Sequence, residues 1–213
     1  MYLPAHFAED NPETLHTIMR QYPLAMLVVP QAGSATPDFS AHHLPLHLNT
    51  TNNLPQGVLQ GHVARANPVW QESAGHNVLA VFRGPDHYIT PNWYPSKKTQ
   101  GKVVPTWNYV AVHAYGTLRV IEDKAWLRQL VTQLTTTHEQ AAPQPWQVND
   151  APEDYLDKML SAIVGFEIVI ERMQGKFKLS QNRTAEDQQG VLHGLAQQDT
   201  LAAHAMHTLM KNN

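Results

Sequence analysis

Cysteine is absent from all 213 residues, which removes disulfide staples, thiolate metal sites and a cysteine nucleophile from consideration together. Long apolar runs are missing too. The longest, Leu24-Ala25-Met26-Leu27-Val28-Val29, has the length of a strand and falls far short of the roughly 20 residues of a membrane-spanning helix. The opening MYLPAHFAEDNPETLH has neither a basic start nor an apolar signal core, so a soluble, cytoplasmic protein with no membrane partner is expected. No GxSxG, P-loop, GxGxxG or HExxH occurs, which argues against serine hydrolysis, phosphoryl transfer and zincin chemistry. Positive charge is also in short supply. With a formal net charge of −3 there is no global basic field to hold a polyanion, and the closest local patch is Arg172, Lys176, Lys178 and Arg183.

What the chain does have is a segment dense in rings and cations, VFRGPDHYITPNWYPSKKTQGKVVPTWNYVAVHAY from Val81 to Tyr115. Tyr88, Trp93, Tyr94, Trp107 and Tyr109 lie there among Arg83, Lys97 and Lys98, with prolines at 85, 91, 95 and 105 setting the turns. Aromatic planes beside fixed cations suit a flat, anionic ligand, the rings to stack and the cations to neutralise phosphate. Some of these rings have a structural use instead: alternation along a strand puts Trp107 and Tyr109 on one face and Asn108 on the other. Thirteen histidines are scattered along the chain and read mainly as surface residues. His42, His43 and His47, and His204 with His207, offer imidazoles, but no carboxylate sits at a telling interval and no metal site is expected.

Asn11-Pro12-Glu13 reads as a helix start, with Leu15, Ile18 and Met19 forming one apolar face before Pro23. Strands are expected at 24–29, 40–48, 58–64, 78–82, 107–120 and 166–170. Turn chemistry from Asn52 to Gly57 makes the 58–64 strand return antiparallel. Asp123 caps a helix carrying Trp126, Leu127, Leu130, Val131 and Leu134; a proline-rich loop over 141–152 precedes a helix through Tyr155, Leu156, Met159, Leu160 and Ile163. Leu201, Ala205, Met206 and Leu209 mark a C-terminal amphipathic helix. The pattern is mainly β with peripheral helices: an antiparallel barrel over 1–175 and a basic segment with a helix over 176–213.

Two further polar constellations stand out. Arg65, before an Asn-Pro turn in GHVARANP, is placed to hold a phosphate bidentately or else to pair with an acidic neighbour. In Lys176-Phe177-Lys178-Leu179-Ser180-Gln181-Asn182-Arg183, alternating lysines lead to a Gln-Asn pair suited to the polar edge of a heterocycle; a helix N-cap at Ser180 or Thr184 is the alternative reading.

With these segments in view the chain resembles the PaiB family, FMN-binding negative transcriptional regulators with a split β-barrel fold. The resemblance rests on Met1-Tyr2 through Pro4 and Phe7, His43-Leu44-Pro45-Leu46, GHVARANP from Gly61, GPDHYITPNWYPSK from Gly84, VPTWNYVAVHAYG from Val104 and KLSQNR from Lys178. It implies an antiparallel split barrel of the FMN-binding type, a homodimer, and FMN in a cleft built by both subunits. It also implies that Arg65 and Lys97 contact the phosphate, that the aromatic loop lies over the flavin, and that His43 to Leu46 supplies a strand alongside it. The candidate cofactor-binding set is then His43, Leu44, Pro45, Arg65, Tyr88, Thr90, Trp93, Tyr94, Lys97, Trp107, Asn108 and Gln181. Thr90 stands where the family more often has serine and keeps the hydroxyl. The family label carries bacterial gene repression, and DNA as a partner comes from that label alone, because no helix-turn-helix is recognisable in the sequence. A flavin-dependent oxidoreductase or a haem-handling relative of the same barrel, with His43, His47 or His87 near the reactive ring, is the alternative.

Overall fold

The computed structural model describes residues 1–30, 38–51 and 54–212. Its elements in chain order are β1 (Ala8–Glu9), α1 (Pro12–Gln21), β2 (Leu24–Pro30), β3 (Phe39–Pro45), β4 (His47–Asn49), β5 (Val58–Ala64), α2 (Val69–Glu72), β6 (Asn77–Ile89), α3 (Ser96–Thr99), β7 (Thr106–Ile121), α4 (Lys124–Glu139), α5 (Glu153–Ser161), β8 (Ile163–Lys178), α6 (Ala185–Ala196) and α7 (Leu201–Lys211). Among the described residues no helix is long and apolar enough to cross a membrane.

Local signals account for most boundaries. The Asn11 side-chain oxygen accepts from the Glu13 amide at 2.9 Å and opens α1, with Pro12 at the first helical position. Asp123 caps α4 by accepting from the Trp126 amide at 2.7 Å. Asn52 and Asn53 of the expected turn lie outside the described residues; Gly57 closes that turn with a φ of +81°, a conformation open to glycine.

The strands order as β3-β2-β6-β7-β8-β5-β4, with β1 paired to β8. The two ends of this path come from one run of chain. Residues 39–45 pair with β2, from Leu24↔Pro45 to Pro30↔Phe39; after Leu46, whose amide donates to Pro23 O, residues 47–49 pair with β5. The strand expected over 40–48 is therefore two strands, divided where the chain leaves one partner for another.

Two compact units emerge, one of Met1–Gln21, Arg83–His113 and Gln174–Asn213, the other of Tyr22–Phe82 and Ala114–Met173. In the first, Leu15, Ile18, Met19, Val110, Phe177 and Leu195 are among the buried side chains. In the second, Leu27, Leu59, Phe82, Leu127, Phe166 and Ile168 are fully enclosed. A Cβ on Gly116 of β7 would stand 2.0 Å from Val169 O, so only glycine permits that approach of β7 and β8.

His62 of β5 is largely buried, which holds its imidazole below the usual 6.5, and its Nδ1 has no hydrogen-bond partner. The unfolded chain takes up a proton at this residue at higher pH than the folded one does, so acidification below 6.5 favours unfolding. Melting curves from pH 7 down to about 5.5 should show a falling transition temperature that flattens in His62→Gln. An equal decline in both proteins would remove His62 as the cause.

Candidate functional site

In the first unit, alternation along β7 sends Trp107 and Tyr109 outward and buries Asn108 completely. The Asn108 amide donates to Ser180 Oγ at 3.0 Å and accepts from the same hydroxyl at 3.1 Å. This candidate is therefore withdrawn from any surface ligand by its own strand geometry. Trp107 is 53% exposed and meets the exposed Tyr88 edge-to-face, with ring centroids 6.0 Å apart.

The cations beside these rings come from β8. Lys176, which is buried, and the half-buried Lys178 lie on the face of β8 opposite to Phe177 and Leu179, which point into the core. Lys178 Nζ donates to Trp107 O at 2.7 Å and to the Thr106 hydroxyl. Lys176 Nζ donates to Tyr2 O at 3.0 Å and lies 5.5 Å from the Tyr109 ring centroid. Burial, with Lys176 and Arg183 nearby, pulls Lys178 below the ordinary lysine pKa. The composite is an outward platform of Tyr88, Trp107 and Tyr109 flanked by Lys176 and Lys178.

The loop after β6 has a different task. Thr90 Oγ1 accepts from the Asn92 amide at 3.2 Å and caps the turn Pro91–Trp93. Trp93 then lies on a glycine face of α6: a Cβ on Gly194 would fall 2.3 Å from the indole, and one on Gly190 would fall 2.0 Å from Trp93 O. His87 stacks on the same indole at 5.9 Å. Ser96 ties α3 to α6 by donating its amide at 3.1 Å and its hydroxyl at 2.7 Å to the buried Asp187. Tyr94 is buried, with Arg183 4.8 Å from its ring centroid; burial, partly offset by Arg183, raises its phenol pKa. Lys97 is exposed and donates to Asn92 Oδ1 at 2.5 Å. The Gln181 amide closes the bend after β8, donating to Phe177 O at 2.6 Å and accepting from Leu179 N at 2.7 Å. Helix α6 starts at Thr184, whose hydroxyl accepts from the Asp187 amide, as the N-cap alternative holds.

His43, Leu44, Pro45 and Arg65 belong to the second unit. His43 and Pro45 face outward on β3, opposite Met26 and Leu24 of β2, whereas Leu44 is half-buried opposite Ala25. The outward face shared by these strands is apolar: Leu24 is 64% exposed and Phe39 65%. Arg65 is engaged internally, through Glu122 at 2.6 Å, Ser161 O at 3.0 Å and Ile163 O at 3.2 Å. Three of the five guanidinium N–H groups are thus used, in line with the acidic-neighbour alternative.

The β8 lysines were legible in sequence as alternating cations. A strand under them was legible too, whereas its continuity with the 166–170 strand and its place beside Trp107 were not, because Glu171, Arg172 and Gly175 interrupt the apolar pattern.

Solved structures share this split-barrel class of fold. The flavocytochrome Anf3 of Azotobacter vinelandii matches with a TM-score of 0.55 at 13% identity, over 80% of this chain and 69% of that one. The FAD and heme binding protein of Mycobacterium smegmatis matches with the same score at 15% identity, over 80% and 73%. Within that class the sequence is more specific: residues 1–172 match the family described as "Putative FMN-binding domain", and the chain belongs to it, in the PaiB branch. The protease synthase and sporulation protein PAI 2 of Bacillus subtilis is 32% identical over 100% of this chain and 97% of its own length. An uncharacterized protein of Emericella nidulans is 34% identical over 99% and 96%, so such chains occur in fungi as well as bacteria.

Proposed function

We propose that this protein binds FMN as a homodimer and serves as a flavin-dependent regulator or sensor. The observation that carries the reading is the outward platform of Tyr88, Trp107 and Tyr109 beside Lys176 and Lys178, two cations that no carboxylate pairs among the described residues. Exposed rings suit an isoalloxazine plane and unpaired ammonium groups suit a phosphate, so the residues fit the group that the family description names. Bound flavin would supply redox chemistry and a visible chromophore; the protein holds it, excludes water and sets what reaches it. The exposed apolar face of β2 and β3 supports a second copy of the chain as its cover.

Direct contact with DNA gains little from the structure. Helices α6 and α7 form a pair joined by residues 197–200, which was not foreseen from sequence, yet α7 carries a single lysine, Lys211, and no arginine. That is too little charge to anchor a helix on phosphates. Regulation through a flavin-dependent change in a partner fits better.

Trp107→Ala tests the platform. Loss of one stacking ring should weaken FMN binding by roughly 10- to 100-fold, the scale of about 1–3 kcal/mol for such contacts, with the melting temperature little changed because Trp107 is exposed. Unchanged FMN affinity in the folded variant would remove the platform from the site. Steady NAD(P)H oxidation by flavin-loaded protein would move the reading to an oxidoreductase.

A further inference from the structure

We propose that the groove between α4 and the loop over 145–149 is a binding site for a neutral saccharide, independent of whether flavin is bound. The groove lies wholly within the second unit and has a volume of about 390 Å³, inside the range of about 300–1,000 Å³ typical of small-molecule sites. One wall is a face of α4, where Thr132, Thr135, Thr136 and Glu139 recur at the three- and four-residue spacing that brings side chains together on one side of a helix. The other wall is Trp146, with Gln147 beside it.

Both walls exceed what packing alone requires. Threonine is a poor helix former because its branched Cβ loses side-chain freedom, yet the last two turns of α4 hold Thr132, Thr135, Thr136 and Thr137. Thr132 returns its hydroxyl to Arg128 O at 2.7 Å, whereas the hydroxyls of Thr135 and Thr136 have no partner among the described residues. Trp146 is 47% exposed on a polar loop, and its indole N–H is likewise unpartnered there. The ring is nevertheless held in place. The Trp146 amide donates to Glu139 Oε2 at 3.0 Å, Val148 is buried two residues on, and Arg128 donates to Asn149 Oδ1 at 3.2 Å. The groove is therefore preformed, and a ligand need not order it.

Its chemistry selects the ligand. No lysine or arginine lines the groove, and Arg128, the cation that touches Asn149, is paired with Glu153, so an anion finds no counter-charge. A wholly apolar ligand would strip water from hydroxyls, amides and a carboxylate without replacing its hydrogen bonds. A pyranose has an apolar face of C–H groups and a rim of hydroxyls. The face suits the exposed indole, and the rim suits threonine hydroxyls and glutamine amides, which both donate and accept, and the Glu139 carboxylate, which accepts.

Saturation-transfer NMR on the full-length protein tests this, with glucose, galactose, mannose, N-acetylglucosamine, maltose and cellobiose as probes. At least one should bind saturably with a dissociation constant at or below about 5 mM, equally with and without FMN, so that failure of the flavin reading leaves this result standing. Trp146→Ala should weaken that sugar by at least about tenfold, as should Thr135→Val/Thr136→Val, which removes the hydroxyls and keeps the branched shape. Trp107→Ala, in the other unit, should leave it unchanged. Should the threonine variant fail to fold, Thr136→Val alone and Trp146→Ala give the same decision. Absence of saturable binding by any of these sugars up to about 50 mM overturns the proposal, as does binding that survives Trp146→Ala in the folded protein. Glucose 6-phosphate binding more tightly than glucose would make the ligand an anion and overturn it equally.

Discussion

Replacing Gly190 with alanine should lower the melting temperature by roughly 4–8 °C, the equivalent of about 2 kcal/mol in a chain of this size. Helix propensity alone predicts the opposite, because alanine gains about 1 kcal/mol over glycine inside a helix. Packing decides the sign. The new Cβ would lie 2.0 Å from Trp93 O and 2.8 Å from Pro95 Cδ, and a backbone oxygen cannot rotate aside as a side chain can. Overpacking of this kind costs about 1–3 kcal/mol, and this contact belongs at the upper end. The same displacement would strain the Ser96–Asp187 bonds that fasten the aromatic loop to α6. Thermal melts with tryptophan emission check it; a transition at or above that of the wild type would show that α6 does not rest on Trp93 as described.

The second large effect concerns the outward face of β2 and β3. Met26→Asp/Phe39→Asp places two carboxylates on a surface where Leu24, Met26, Phe39 and Pro45 are all exposed. In a free subunit these carboxylates meet water and cost little; across an interface each would be desolvated without a partner. If the proposed homodimer uses this face, the expected result is its conversion to monomer at low-micromolar concentration, with a melting transition close to that of the wild-type subunit. Sedimentation velocity reads both species. A variant that remains dimeric would move the interface elsewhere.

Legibility in the sequence followed local signal strength. Helix α1 is announced by Asn11 and Pro12, α4 by Asp123, and β5 matches its expected range of 58–64, because caps and period-two patterns are written in adjacent residues. Strand β6 was expected to stop at Phe82 and continues to Ile89 through Gly84 and Pro85, whose turn-like composition is outweighed by pairing with β7. Helix α6 was legible only as an alternative N-cap at Ser180 or Thr184, because Gly190 and Gly194 weaken its propensity; their purpose, a flat bed for Trp93, is tertiary. The site divides in the same way. The rings Tyr88 and Trp107 were visible as an aromatic cluster and do stand exposed together, whereas Tyr94, Trp93 and Asn108 are absorbed by packing. Sequence proximity favoured Lys97 as the companion cation. Strand adjacency brings Lys178 to Trp107 across 71 residues instead, and no local pattern encodes that meeting.

The central claim is that the chain holds FMN, and calorimetric titration of FMN into the full-length protein, stripped of any flavin it carries, tests it most directly. The account predicts saturation at one FMN per subunit with a dissociation constant below about 10 μM, some 7 kcal/mol of binding free energy. Absence of saturable binding at flavin concentrations of about 1 mM would contradict it.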